Sequence, residues 1–247
     1  MIRLFQTIGE YILFLGKVIS KPEKWRIFYR DTVKEIDKLG INSIAIVAII
    51  SAFMGAVITI QTAYNTENPI LPDYLIGLAA RDSILLEFSS TIVALILAGK
   101  VGSHIASEIG TMRVSEQIDA LEIMGVNSAS HLVLPKITAA VLFNPLLCIL
   151  SNAVGILGGW IVGSATGAIS SQQYIEGIHY AFIPYYVFYG MLKTVVFAFI
   201  ITSISAFYGY YVSGGSLEVG RASTKAVVNS SVVILLFNLI LTQLLLS

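Results

Sequence analysis

Five stretches of this chain are too apolar to be solvated and too long to be strands of a small soluble core. Ile41–Tyr64 holds no charged residue over 24 positions, a length that crosses the hydrocarbon core of a bilayer with some tilt. Ile84–Gly99 carries one acid, Glu87. Ile137–Gly167 carries none, Pro184–Val212 carries only Lys193, and Ser231–Leu246 is mostly apolar to its end. With 56% hydrophobic and 12% charged residues among 247, the composition is that of a membrane protein. The fold class predicted is an all-α integral membrane protein: amino-terminal interfacial helices over 1–40, then one five-span domain over 41–247. A formal net charge of zero argues against nucleic acid, which demands a basic field. Cys148 is the single cysteine, so no intrachain disulfide or cysteine metal cluster is expected. His104, His131 and His179 are scattered, and no metal site is expected.

The first 20 residues lack the pattern of a cleavable signal: Glu10 interrupts them, Lys17 follows the apolar patch, and no small-x-small site appears. Ile2, Phe5, Ile8, Ile12, Leu15 and Ile19 recur every three or four residues, predicting a helix lying in the membrane interface. After Lys21-Pro22, residues 23–39 place Trp25, Phe28, Thr32, Ile36 and Leu39 on one face and a dense mixture of charges on the other. Asn65–Asp73, with Pro69 and Pro72, reads as a loop, and 74–80 leads through Arg81-Asp82 into the second run. Gln172–Ile183 reads as a short polar connection. If the amino terminus is cytoplasmic, the inside segments are 1–40, 100–136 and 213–230. They hold thirteen of the fifteen lysines and arginines, all but Arg81 and Lys193, and this bias orients the protein with its carboxyl terminus outside.

Gly155, Gly159, Gly163 and Gly167 recur every four residues, and Ala94, Ala98, Gly102 and Ala106 form a second row. Such rows let helix backbones approach closely in lipid, either between two subunits or within one. Glu87 and Lys193 are ionisable groups set in apolar spans, where an unpaired charge is costly. They are expected to face each other at the outward mouth of a cavity; the alternative is that each snorkels to the headgroups.

Between the second and third spans lies a charged, helix-forming stretch, Glu108–Gly125, with acids Glu108, Glu116, Asp119 and Glu122 and the base Arg113. Residues 115–124 predict a short helix capped by Ser115 and ended by Gly125, with Glu116 and Asp119 suiting its positive first turn. Ile118, Leu121 and Met124 would form an apolar edge. Insertion into a groove on a soluble partner and an ordinary surface helix fit this pattern equally.

The run Glu108–Gly125, continuing into Val126-Asn127, resembles the signature of the MlaE/YrbE permease family, the membrane subunits of ABC-type lipid transport systems associated with MCE proteins. Ala98-Gly99-Lys100-Val101-Gly102 is similar to the family's Ala-Gly-Arg-x-Gly. Gly220–Val228 resembles its Arg-Ala-Thr-Thr-Arg-x-Val-Val segment, and Phe53–Val57 with Gln61 its first span. The resemblance covers nearly the whole chain. It implies a homodimeric permease of the bacterial inner membrane with a coupling helix at about 114–125 that enters a groove of a cytoplasmic ABC ATPase dimer. Coupling would rest on Glu108, Gly110, Thr111, Met112, Arg113, Glu116, Gln117, Asp119, Leu121, Met124 and Gly125. It further implies a lipid cavity at the dimer centre, beneath a periplasmic MCE protein, involving Ile58, Gln61, Glu87 and Lys193, with Ala98, Gly102, Gly155, Gly159 and Gly163 in helix packing. Glu87 falls on the glutamate of a family Arg-Glu-Leu-Gly-Pro segment, but Leu86 replaces the arginine and Phe88-Ser89-Ser90 the Leu-Gly-Pro.

No Gly-x-x-x-x-Gly-Lys-Ser/Thr loop and no nucleophile constellation occurs in the sequence. ATP and magnesium are therefore expected on a partner chain, and this chain is expected to bind no cofactor. Two other readings compete: an ion-coupled secondary transporter of an amphiphile that uses Glu87 and Lys193, and a non-transporting membrane anchor for an MCE ring.

Overall fold

A computed structural model describes residues 2–19, 25–66 and 72–246, with side chains from Phe5 onward. Lys21, Pro22, Glu23, Lys24 and Pro69 lie outside the described residues. Among the described residues eight helices follow one another: α1 (Ile2–Val18), α2 (Trp25–Asn65), α3 (Tyr74–Val114), α4 (Gln117–Ile123), α5 (Ser128–Ala165), α6 (Ser171–His179), α7 (Tyr185–Tyr210) and α8 (Ser216–Leu246). No strand occurs among the described residues. α2, α3, α5, α7 and α8 are long and apolar enough to cross a membrane, so the chain is an all-α, multi-pass membrane protein.

Four helices differ from their expected bounds: α5 begins at Ser128 rather than Ile137 and α8 at Ser216 rather than Ser231, and α2 and α3 differ further. The chain does not break between 40 and 41; α2 runs through a wide π-type turn at Ile36–Gly40 and a tight 3-10 turn at Ile41–Ser43. α3 starts ten residues before Ile84, takes Arg81 and Asp82 into the helix, and continues to Val114 through π-type segments at Ile84–Ile92 and Ala98–Gly102. Each of these helices has 41 residues, about 60 Å at 1.5 Å per residue, twice the hydrocarbon thickness. Their charged ends therefore need not enter hydrocarbon. The connection expected at 172–183 is largely the helix α6. Ser170 opens it with a reciprocal cap, its hydroxyl accepting from the Gln173 N–H at 3.3 Å and its own N–H donating to Gln173 Oε1.

The chain divides into two compact units, one made of 1–42, 94–143 and 195–247, the other of 43–93 and 144–194. In the second unit Ile58, Ile76, Ala80, Ile84, Ile169 and Tyr174 form a buried cluster, and α6 packs on the first turns of α3. Here α2 and α5 meet at backbone distance. A Cβ on Gly55 would stand 1.8 Å from the Gly155 carbonyl oxygen, and one on Gly158 would stand 2.3 Å from that of Ala52. Ser51 donates to Ser151 across the same contact at 2.8 Å. Gly159 and Gly163 face Thr59, so this glycine row packs against a helix of its own subunit. Arg81, 2% exposed, donates to the carbonyls of Ile178 (2.7 Å) and Tyr180 (2.8 Å) and pairs with Asp82 at 2.8 Å. It thereby satisfies carbonyls that the end of α6 leaves open.

In the first unit α8 packs along Ser103–Val114 of α3. Gly102 lies against Ser205 and Ile201 of α7, and Ala98 is fully buried. α1 lays Phe14 against Phe207, Tyr210 and Tyr211, with ring centroids 5.2–5.9 Å apart, and its Tyr11 hydroxyl meets Ser203 Oγ at 2.7 Å. Opposite that face Phe5, Ile8, Ile12 and Leu13 are exposed, as an interfacial helix requires.

Candidate functional site

α4 is the short helix expected between the second and third spans, but it begins differently. Ser115 does not cap it. Its hydroxyl donates back to the Thr111 carbonyl at 2.8 Å and accepts from Gln117 Nε2 at 3.0 Å. Glu116 occupies the cap position with φ +60°, in the left-handed region, and makes no side-chain cap bond. A non-glycine residue there costs about 1–2 kcal/mol, which the contacts on either side must hold. The end of α4 is as the sequence indicates. Gly125 has φ +79°, its N–H donates to the Glu122 carbonyl at 2.9 Å, and that of Val126 donates to Leu121 at 3.1 Å, the paired bonds of a glycine-terminated helix.

Four contacts pin the inner side of α4. Ile118 is fully buried. Arg113 Nη1 meets Asp119 Oδ1 at 2.7 Å, with the guanidinium 5.9 Å above the Tyr210 ring. Glu122 Oε1 accepts from Tyr210 Oη at 2.7 Å and from Ser128 Oγ at 3.0 Å. These two hydrogen bonds, Tyr210 first, hold the Glu122 carboxyl below its ordinary value of 4.5. Beyond the helix, Asn127 Nδ2 donates to the Lys17 carbonyl of α1 at 3.0 Å.

The apolar edge expected from Ile118, Leu121 and Met124 is not the surface presented. Ile118 points inward, Leu121 is half-buried, and the exposed tip is Ile123 (88%) with Met124 (68%), beside exposed Glu116 and Gln117. Counting in steps of three from Ile118 selects the wrong face once Ile118 is the core residue. The adjacent apolar pair immediately before Gly125 was the signal for the right one. Thr111 is exposed, and Met112 and Arg113 are half-buried. Gly110 is buried, and a Cβ there would press on Val219 at 3.1 Å.

Glu108 does not join α4. It belongs to an ion cluster in which Lys136, 4% exposed, binds Glu108 Oε2 at 2.5 Å and Glu35 Oε1 at 2.9 Å. Lys38 binds the other Glu108 oxygen at 3.2 Å, and His104 stands 4.0 Å away. Sequence reasoning missed Glu35, Lys38 and Lys136, whose partners lie 70 and 101 positions off.

In the other unit Glu87 and Lys193 meet at 3.0 Å. Lys193 is fully buried, which excludes snorkelling, and also donates to the Leu86 carbonyl (3.3 Å) and Tyr189 Oη (3.1 Å). Thr91 donates to the second Glu87 oxygen at 3.0 Å. Ile58 lines a different space, a crevice of about 10 Å³ with Ser51, Ser89 and Ser151, room for one water at most. Neither Glu87, Lys193 nor the exposed Gln61 borders that crevice.

A sequence profile described as Permease MlaE matches residues 32–244. The chain belongs to the MlaE permease family. Similar full-length relatives include a "Probable ABC transporter permease protein" of Rickettsia bellii, 36% identical, covering 98% of this chain and 93% of that protein. The "Intermembrane phospholipid transport system permease protein MlaE" of Haemophilus influenzae is 32% identical over the same shares. The protein "TRIGALACTOSYLDIACYLGLYCEROL 1, chloroplastic" of Arabidopsis thaliana is 31% identical over 94% of this chain and 66% of its own. The MlaE match takes in α4, the ion cluster and the Glu87–Lys193 pair.

Proposed function

We propose that this chain is the permease subunit of an ATP-driven ABC transporter that moves phospholipid between the inner membrane and a periplasmic MCE protein. The observation that carries the reading is α4: a helix fixed to its surroundings by Ile118, Arg113–Asp119 and Glu122–Tyr210–Ser128, with Ile123 and Met124 bared at its tip. Exposed apolar side chains on a rigid helix suit a groove on a soluble partner. A push on that tip would pass to α3, α5 and α7 through the same bonds. The names of the Rickettsia and Haemophilus relatives support the ABC and phospholipid parts.

In this reading the amino terminus and α4 are cytoplasmic and the carboxyl terminus is periplasmic. ATP and magnesium bind a partner ATPase dimer, and two copies of this chain complete the lipid cavity, with Glu87 and Lys193 near its mouth. Each buried acyl methylene is worth roughly 0.8 kcal/mol, so extracting a lipid needs an outside drive. Ile123→Asp with Met124→Asp should release the ATPase during co-purification and abolish ATP-dependent transfer of a fluorescent phospholipid between vesicles, with the melting temperature unchanged. Transfer driven by an ion gradient without ATPase would sink the proposal. It would favour the ion-coupled alternative, for which the observation is that Glu87 stays 39% exposed beside the buried Lys193.

A further inference from the structure

A second site, distinct from the Glu87–Lys193 region and from the tip of α4, lies among α1, the end of α7 and the first turns of α8. There a cleft of about 260 Å³ is lined by Glu10 of α1, by Tyr208 in the last turn of α7 and Tyr211 just beyond it, and by Glu218, Arg221 and Lys225 on one face of α8. Arg221 and Glu218 pair at 2.6 Å. Among the described residues neither Glu10 nor Lys225 forms an ion pair, and both are exposed. The lining is thus balanced in sign, with two acids and two bases, and leaves one of each uncompensated over an aromatic wall. A simple anion would meet two carboxylates, and a simple cation would meet two bases. A group bearing both charges a few ångströms apart meets a partner for each.

We infer that this cleft binds the headgroup of a zwitterionic phospholipid. Its phosphate lies against Arg221 and Lys225, and its amine against Glu10, Glu218 and the faces of Tyr208 and Tyr211, which attract cations. α1 supplies the depth. Thr7 and Glu10 of α1 line the cleft while Phe5, Ile8, Ile12 and Leu13 of the same helix are exposed; such an apolar face would seat α1 at the headgroup level, so that acyl chains could remain in the bilayer while the headgroup is held. This assignment concerns a resident lipid and does not depend on transport or on an ATPase.

The test uses the full chain in dodecyl maltoside, with Cys148→Ser and a bimane fluorophore on Ser213→Cys at the cleft. Dihexanoylphosphatidylethanolamine should change the emission saturably, and Arg221→Ala with Lys225→Ala should weaken that binding at least tenfold. Glu10→Gln should weaken the ethanolamine lipid while leaving dihexanoylphosphatidylglycerol unaffected. Apart from the buried Cys148, the substituted side chains are exposed, and melting temperatures recorded alongside establish that the variants are folded. Equal binding of the two lipids, no saturable change, or an equal response to inorganic phosphate alone would each overturn the assignment, the last showing a free-anion site only.

Discussion

The α2–α5 contact of one unit and the charge and ring clusters of the other hold helices together by opposite means. In the unit formed by 43–93 and 144–194, the α2–α5 contact is backbone against backbone, with Gly55 and Gly158 allowing carbonyls where any side chain would stand. In the unit formed by 1–42, 94–143 and 195–247, where Gly209 also brings α7 close to the Ala106 carbonyl, two clusters hold helices through side chains: Glu35–Lys136–Glu108–Lys38 and the ring stack of Phe14, Phe207, Tyr210 and Tyr211. In lipid, apolar helices gain nothing by hiding from their solvent, so association rests on close fit. A buried charge cluster instead rests on every member being paired. The first contact cannot accept an added atom; the second cannot lose a charge.

The sharpest way to break this contrast is Gly55→Val. With 1.8 Å available for the Cβ, it should destabilise by more than about 3 kcal/mol, read as loss of folded protein or a collapsed melting temperature. Gly16→Ala, with nothing within 4 Å, should instead be neutral or stabilise by about 0.5–1 kcal/mol. Equal behaviour of the two variants would refute the close approach. Next, Lys136→Met removes the buried cation and leaves Glu35 and Glu108 only the half-exposed Lys38, 3.8 and 3.2 Å away, and should cost about 3 kcal/mol in chemical denaturation. Adding Glu35→Gln should return part of it, and no return would mean the cluster is not coupled.

A smaller effect is expected of the Glu87–Lys193 pair. Glu87→Lys and Lys193→Glu should each destabilise, and the double exchange should recover about 1–2 kcal/mol of coupling. Additive losses would mean that the two charges act separately. The smallest effect is at Glu122. Because its folded-state value is depressed, its contribution is present above 4.5 and is lost as the pH falls through the folded value. Tyr210→Phe removes the larger of the two hydrogen bonds and should flatten the acid limb of the melting-temperature profile. An unchanged limb would show that Glu122 is not held by Tyr210.

Much of the architecture was legible in order of sequence. Charge-free runs marked the spans, the three-to-four spacing of Phe5, Ile8 and Ile12 marked α1, and Gly125 marked the end of α4. The boundaries of α2 and α3 were less so, because charge at 23–39 and 81–82 reads as a break although long helices carry charge readily beyond the apolar core. Ser170 opening α6 was readable as a cap followed three residues later by Gln173, yet the polar composition of 172–183 suggested a loop. At the candidate site, Glu87 and Lys193 were paired correctly because few other partners exist in an apolar span. The partners of Glu108 and the inward direction of Ile118 were not legible, because several helical faces were open to each of them.

Hydropathy and local spacing determine that this chain makes membrane-crossing helices and a charged helix between two of them, since those properties depend on neighbours within a few residues. Which side of α4 is bare, whether a glycine row packs within the subunit, and which acid shares Lys136 are decided by residues 28 to 101 positions apart in the chain. Such choices depend on competition between alternative partners at close range, and only the folded arrangement of the helices settles it.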